Sequence, residues 1–281
     1  MQPRFERPAS VAQATGLLAA RPWAVLAGGT DLYPAHVGRT IALPLLDIGG
    51  IAELRGIRRD AFGWTIGATT TWSDVARADL PPLFAALRSA AREVGGVQIQ
   101  NTGTVAGNLC NASPAADGTP VLLAMGARVV LQSARGVREL AVDEFVLGNR
   151  RTARADDELV VAVRIPARSE RARSAFAKLG GRRYLTIAVT AVAVVVDTGA
   201  DATVSAVGIA VGSCAPAARR LSALEARLVG ARIDGDLAAT VEDLDLAPLA
   251  PIDDVRGSAA YRIDATRTLL GRALGEVAAR R

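Results

Sequence analysis

Residues 101–117 read N-T-G-T-V-A-G-N-L-C-N-A-S-P-A-A-D. Small and polar residues dominate. The large apolar side chains that a strand or core helix repeats at periods of about 2 or 3.6 are missing. The flanking segments are apolar or helical, so the stretch reads as an ordered polar loop within a domain, a kind of loop that is usually functional. Gly103 and Gly107 let backbone approach a ligand closely. Consecutive amides in such a loop can form an anion-binding concavity. Thr102, Thr104, Asn108, Asn111 and Ser113 add side-chain donors and acceptors. The plain alternative is a Gly-rich surface turn.

A second glycine loop lies about seventy residues upstream, where Val25, Leu26 and Ala27 run as a strand into Gly28, Gly29, Thr30, Asp31 and Leu32. It is neither the G-x-G-x-x-G of a dinucleotide-binding Rossmann unit nor a P-loop. A strand entering Gly-Gly still turns main-chain amides toward a diphosphate. Two such loops suggest a nucleotide held from two sides.

The pair A-G-G-T-D-L and T-G-T-V-A-G-N-L-C-N-A-S-P-A-A-D resembles the FAD-binding subunit of the molybdenum hydroxylases. That family includes the medium subunit of carbon monoxide dehydrogenase and the flavin domain of xanthine dehydrogenase. The resemblance implies an α+β fold: a two-lobed FAD-binding domain over residues 1–172, then a small antiparallel-sheet-plus-helix domain over 173–281 with G-S-A-A-Y-R before its last helix. It makes Val25, Leu26, Ala27, Gly28, Gly29, Thr30, Asp31 and Leu32 one FAD loop, and Thr104, Val105, Ala106, Gly107 and Asn108 the other. It implies that Asp117 contacts the flavin, with a helix N-cap as the alternative role. It places Val160 beside the flavin and Lys178, the one lysine in the chain, near the flavin N1–O2 edge. It implies partners: a large molybdopterin subunit and a small subunit with two [2Fe-2S] clusters, in a dimer of heterotrimers. Electrons would pass from the clusters through FAD to NAD, a quinone or oxygen. A stand-alone flavin oxidoreductase and a flavin-free scaffold are the alternatives. Two departures from the family pattern stand out. Ala106 replaces a glycine of T-x-G-G-N, which is tolerable only at negative φ, and Thr186 stands where several members carry an acid.

Composition narrows the field. A chain of 281 residues with half its residues hydrophobic can build two cores. Its net charge of +5 comes from scattered Arg with few aromatics, a poor pattern for nucleic acid. Two cysteines without close spacing and a single histidine, His36, offer no disulfide scaffold, metal site or Ser-His-Asp triad. The N-terminus lacks the apolar core of a signal peptide, and the longest apolar run is too short to span a bilayer. A cytoplasmic protein is expected.

Along the chain, Ser10 predicts the cap of a helix over 11–20. Hairpins are expected around Asp60 and around 134–136. A helix over 83–94 stops at Gly95-Gly96, and residues 97–100 lead into the polar loop. Helices are expected at 120–125, at 222–228 with Ser222 as cap, and at 259–279. The charged segment 168–173 marks the domain boundary. Residues 184–196 read as a helix passing into a strand.

Overall fold

The computed structural model describes residues 4–233, 236–241 and 246–279; the first three residues of the expected N-terminal domain and the last two of the C-terminal one lie outside them. The first lobe is a parallel sheet of β1 (Phe5–Glu6), β2 (Ala24–Leu26) and β3 (Leu45–Asp47), with β3 central. Between β1 and β2 runs α1 (Val11–Ala20), started by the Ser10 hydroxyl, which accepts from the Gln13 amide. From β2 the chain runs directly into Gly28-Gly29.

The second lobe is a five-stranded antiparallel sheet. Its β4 (Ile57–Arg59) and β5 (Gly63–Gly67) form the first expected hairpin, and the Asp60 carboxylate accepts from the Phe62 and Gly63 amides in its turn. Helix α2 (Trp72–Arg77) begins at a capping box in which Thr71 and Asp74 satisfy each other's amides. Helix α3 (Ala85–Glu93) ends before Gly95, whose φ is +53°.

Two expectations fail here. Residues 97–100 are part of a helix, α4 (Val97–Thr102). The polar stretch contains another, α5 (Val105–Asn111). The Thr104 hydroxyl caps α5 by accepting from the Gly107 amide, and Val105, Ala106 and Leu109 form its buried face. The stripe is only three residues long amid small and polar neighbours, so composition hides its helical spacing. Ala106 lies inside this helix and is not among the residues with positive φ. Its methyl group is therefore tolerated.

Helix α6 (Gly118–Ala124) follows, then the second hairpin, β6 (Arg128–Ser133) and β7 (Gly136–Ala141). A short helix α7 (Val142–Phe145) leads to the two-stranded β8 (Val146–Gly148) and β9 (Arg151–Thr152). The lobe closes with β10 (Leu159–Pro166), which takes the central place between β5 and β6.

The C-terminal part is an antiparallel sheet in the order β11 (Arg173–Gly180), β12 (Ala188–Thr198), β13 (Val204–Gly212), β14 (Arg219–Arg220). Helices α8 (Ser222–Leu228) and α9 (Ala259–Ala279) pack on it. Ser222 does not cap α8; Leu221 occupies that position and makes no side-chain cap. The expected helix before β12 is absent: residues 181–187 are irregular and β12 is strand throughout. Every residue of β12 is buried. Its two faces serve two different cores, with Ala193 and Val195 on one side and Val192, Val194 and Val196 on the other. A strand covered on both faces loses polar alternation, which is why A-V-T-A-V-A-V-V-V reads ambiguously. The Ser174 hydroxyl ties the two parts together, donating to Leu83 O at 2.6 Å and accepting from the Ala86 amide at 2.8 Å. Among the described residues no helix is long and apolar enough to cross a membrane.

Candidate functional site

One cavity of about 920 Å³ gathers both glycine loops. That is the large end of ligand pockets, which run about 300–1,000 Å³. All eight residues from Val25 to Leu32 line it, with Thr104, Ala106, Gly107, Asn108, Asp117 and Val160. Two of the expected residues do not. Val105 is fully buried and its amide donates to Thr70 O at 3.0 Å, so it anchors α5 in the core. Lys178 lies behind the cavity wall, where it reaches Asp117.

The two loops touch through backbone. A methyl group on Gly28 would stand 1.9 Å from the Thr102 carbonyl oxygen and 3.1 Å from the Gly103 Cα. Only glycine allows this approach. Gly29 has φ +69°, and the Tyr33 ring sits where its side chain would go. Among the described residues the amides of Gly28, Gly29, Thr30, Asp31 and Leu32 donate no hydrogen bond within the chain. Five successive free donors on a cavity wall suit a diphosphate. Gly107 has a different role from the close approach expected of it. A methyl there would meet the capping Thr104 hydroxyl at 2.7 Å.

Two buried acceptors in this wall, Asn108 Oδ1 and Asp117 Oδ1, have no protein partner. Buried polar atoms are rarely left so, and both suit the N–H and O–H groups of a flavin and its ribityl chain. Asp117 does not cap α6: its backbone is already helical and its side chain makes no cap bond. Its other oxygen, Oδ2, accepts from Lys178 Nζ at 2.8 Å. Lys178 also donates to Glu93 O at 3.3 Å. Both side chains are at least nine-tenths buried. Burial pushes the Asp117 carboxyl up to about 6, although the Lys178 ammonium pulls the other way. His36 lines the cavity too, and its Nδ1 is 2.8 Å from Leu32 O, an internal bond that steadies the turn after the first loop.

Sequence reasoning missed part of the wall. Trp72, Gly95, Gly96 and Ile99 come from α2, α4 and the turn before α4, and Leu185, Thr186 and Ile187 from the segment between β11 and β12. Leu185 has φ +54°, and its carbonyl accepts from Arg182 Nε at 3.1 Å and Nη2 at 2.6 Å. The Gly95-Gly96 pair was the available signal. A methyl on Gly96 would stand 3.1 Å from the Leu185 side chain, so this helix stop is also a close contact.

Comparison with known proteins agrees with this geometry. Residues 1–168 match the FAD binding domain in molybdopterin dehydrogenase, and residues 174–277 match the CO dehydrogenase flavoprotein C-terminal domain. The chain is 33% identical to the carbon monoxide dehydrogenase medium chain of Hydrogenophaga pseudoflava, over 99% of this chain and 98% of that one. It is 32% identical to the nicotine 6-hydroxylase medium subunit of Paenarthrobacter nicotinovorans, again over 99% and 98%. A solved Cu,Mo-CO dehydrogenase in its cyanide-inactivated form contains a chain with TM-score 0.88 and 29% identity, covering 100% of this chain and 99% of that one. Fold, cavity and matches together define a FAD-binding oxidoreductase subunit. Within that class the chain belongs to the medium, FAD-binding subunits of the molybdenum hydroxylases, the family of the carbon monoxide and xanthine dehydrogenases.

Proposed function

We propose that this chain is the electron-transfer subunit of a cytoplasmic molybdenum hydroxylase, receiving electrons from a partner's [2Fe-2S] clusters and yielding them to an external acceptor. Bound FAD supplies the redox chemistry, exchanging electrons singly or in pairs. The protein's part is to bind and tune. The free amides from Gly28 to Leu32 hold the diphosphate. Asn108 Oδ1 and Asp117 Oδ1, left without protein partners, would accept hydrogen bonds from bound FAD, and Val160 would supply apolar wall to it. Lys178 acts on the flavin through Asp117 rather than by direct contact. The FAD-binding domain ends near residue 172, and the remainder is the small C-terminal domain. The large molybdopterin subunit and the small iron–sulfur subunit complete a heterotrimer that pairs into a dimer. The substrate is oxidised in the large subunit, so this chain needs no acid–base pair of its own.

The observation that carries this reading is the coincidence, in one cavity, of five unpaired amides and two orphaned buried acceptors. The test is a FAD titration of the purified chain, followed by mass spectrometry of proteins that co-purify from its native source. The expected result is a visible flavin absorbance band, with a molybdopterin protein and a [2Fe-2S] protein in the complex. A complex without flavin refutes the reading, and a flavin-bearing chain that turns over substrate alone replaces it with the stand-alone oxidoreductase.

A further inference from the structure

The chain's single histidine lies one turn beyond the first glycine loop, at the end of the short turn Pro34–His36. Its side chain is half-buried and lines the flavin cavity together with Gly28, Thr30 and Leu32. Nδ1 stands 2.8 Å from Leu32 O. A carbonyl oxygen only accepts, so Nδ1 carries a proton and donates it. That bond fixes the tautomer and leaves Nε2 as the free end of the ring. Among the described residues Nε2 makes no hydrogen bond, and it is not sealed inside protein.

Resting on the flavin reading above, we infer that His36 is a cationic ligand of the FAD diphosphate, donating from Nε2 to a phosphate oxygen beside the free amides of the first loop. The neutral ring cannot make this bond. With Nδ1–H given to Leu32 O, Nε2 of the neutral ring presents a lone pair to the phosphate. Only the imidazolium donates from both nitrogens. FAD binding is therefore coupled to proton uptake at Nε2, and the N–H bond formed there is the one that meets the phosphate oxygen.

The charge pattern around the loop gives the cation its purpose. Asp31 lies between the same amides and in the same cavity, so its carboxylate opposes a diphosphate held by them. Two arginines also line the cavity, but both are engaged elsewhere. Arg150 Nη1 donates to Asn111 Oδ1 at the end of α5, and Arg154 Nη1 donates to Glu158 O before β10. The remaining charged groups of the cavity are Asp117 and Glu158. Arg39 follows on the next turn, where its amide donates to His36 O at 2.9 Å. On the turn itself His36 is the group that can offset Asp31, and imidazole is the side chain that changes charge between about pH 5 and 8.

The full chain titrated with FAD at about pH 5.5 and about pH 8 tests this, compared with His36→Gln, which keeps a hydrogen-bonding side chain but takes no charge. A hydrogen bond to a charged group is worth about tenfold or more in affinity. The dissociation constant of the glutamine variant should therefore exceed that of the natural chain by about tenfold at the acid end and match it near pH 8. Asp117 titrates in the same window. It is common to both chains, so the ratio of their constants reports His36. A ratio equal at the two pH values overturns the inference, because an imidazole that only steadies the turn acts alike at both. Calorimetry near neutral pH in two buffers of different ionisation heat should count more protons taken up per FAD by the natural chain than by the variant, and equal counts refute the coupling. Should glutamine loosen the turn, His36→Lys holds a cation there at both pH values. Its FAD affinity near pH 8 should exceed that of the natural chain, and a lysine chain that binds no better there refutes the cationic contact. A natural chain that binds no FAD at either pH refutes both this inference and the function it rests on, whereas FAD binding with a constant ratio refutes the role of His36 alone.

Discussion

Gly28→Ala is the sharpest probe of how the two loops make one cavity. The added methyl would lie 1.9 Å from Thr102 O and 2.6 Å from Thr102 C. Real Cβ contacts stay beyond 3.0 Å, so the loops must part by about 1 Å. Both surfaces are backbone, so no side chain can rotate aside. Overpacking of this kind costs about 1–3 kcal/mol. With about 1.4 kcal/mol per tenfold, the FAD dissociation constant rises by roughly ten- to a hundredfold if the strain is relieved by opening the cavity. If it is borne by the fold instead, the melting temperature drops by a few degrees for each kcal/mol, about 2–4 °C in a domain of this size. Quenching of FAD fluorescence gives the first quantity and a thermal melt the second. A Gly28→Ala chain with unchanged affinity and unchanged melting temperature would show that the loops do not meet as described.

Other expectations follow from single contacts. Asp117→Asn should change how stability depends on pH. The folded carboxyl titrates near 6 and the unfolded one near 4, so its contribution is fully present below about pH 4 and is lost as pH rises through about 6. The loss amounts to about 3 kcal/mol, and urea melts at successive pH values should show the asparagine variant flatter across that window. Gly16 lies in α1 with open space around it. Gly16→Ala should therefore stabilise the chain by about 0.5–1 kcal/mol, with no change in FAD affinity. Arg262 is 2% exposed and donates to Val189 O, Ser213 O and Asp254. Arg262→Met leaves these acceptors unmatched and should cost about 3 kcal/mol or more, read as a lower urea midpoint. Thr104→Val removes the cap of α5 and should cost about 1 kcal/mol. It should also weaken FAD binding, because the capped turn lines the cavity.

The sequence made some features plain for physical reasons. Gly28-Gly29 after an apolar strand is legible because only glycine tolerates both a left-handed φ and backbone contact. The Ser10 cap and the two hairpins are local signals, and the structure contains each of them. Other features depend on neighbours far along the chain. Helix α5 was hidden because its buried stripe is only three residues, Val105, Ala106 and Leu109, packed against β10 and α6. The partner of Asp117 is 61 residues away, so no local pattern could distinguish an N-cap from an ion pair. Lys178 stood out as the one lysine, but its reach, through Asp117 rather than along the cavity, is a matter of tertiary packing. Leu185 carries no signal of its own, and its left-handed backbone is held by Arg182 and by the space above Gly96.

The double duty of β12 bears on how the molecule comes apart. Side chains on one of its faces complete the core shared with the FAD-binding part, and those on the other complete the core beneath α8 and α9. Neither core survives removal of that strand. The two parts, distinct by sequence family, are then one cooperative unit in unfolding. A protease cut in the exposed segment 169–171 would leave two fragments that stay associated, since each lacks a wall that the other supplies. Separate expression of residues 1–172 would expose the apolar surface that Ala193 and Val195 now cover, and should yield an aggregating fragment instead of a miniature flavoprotein.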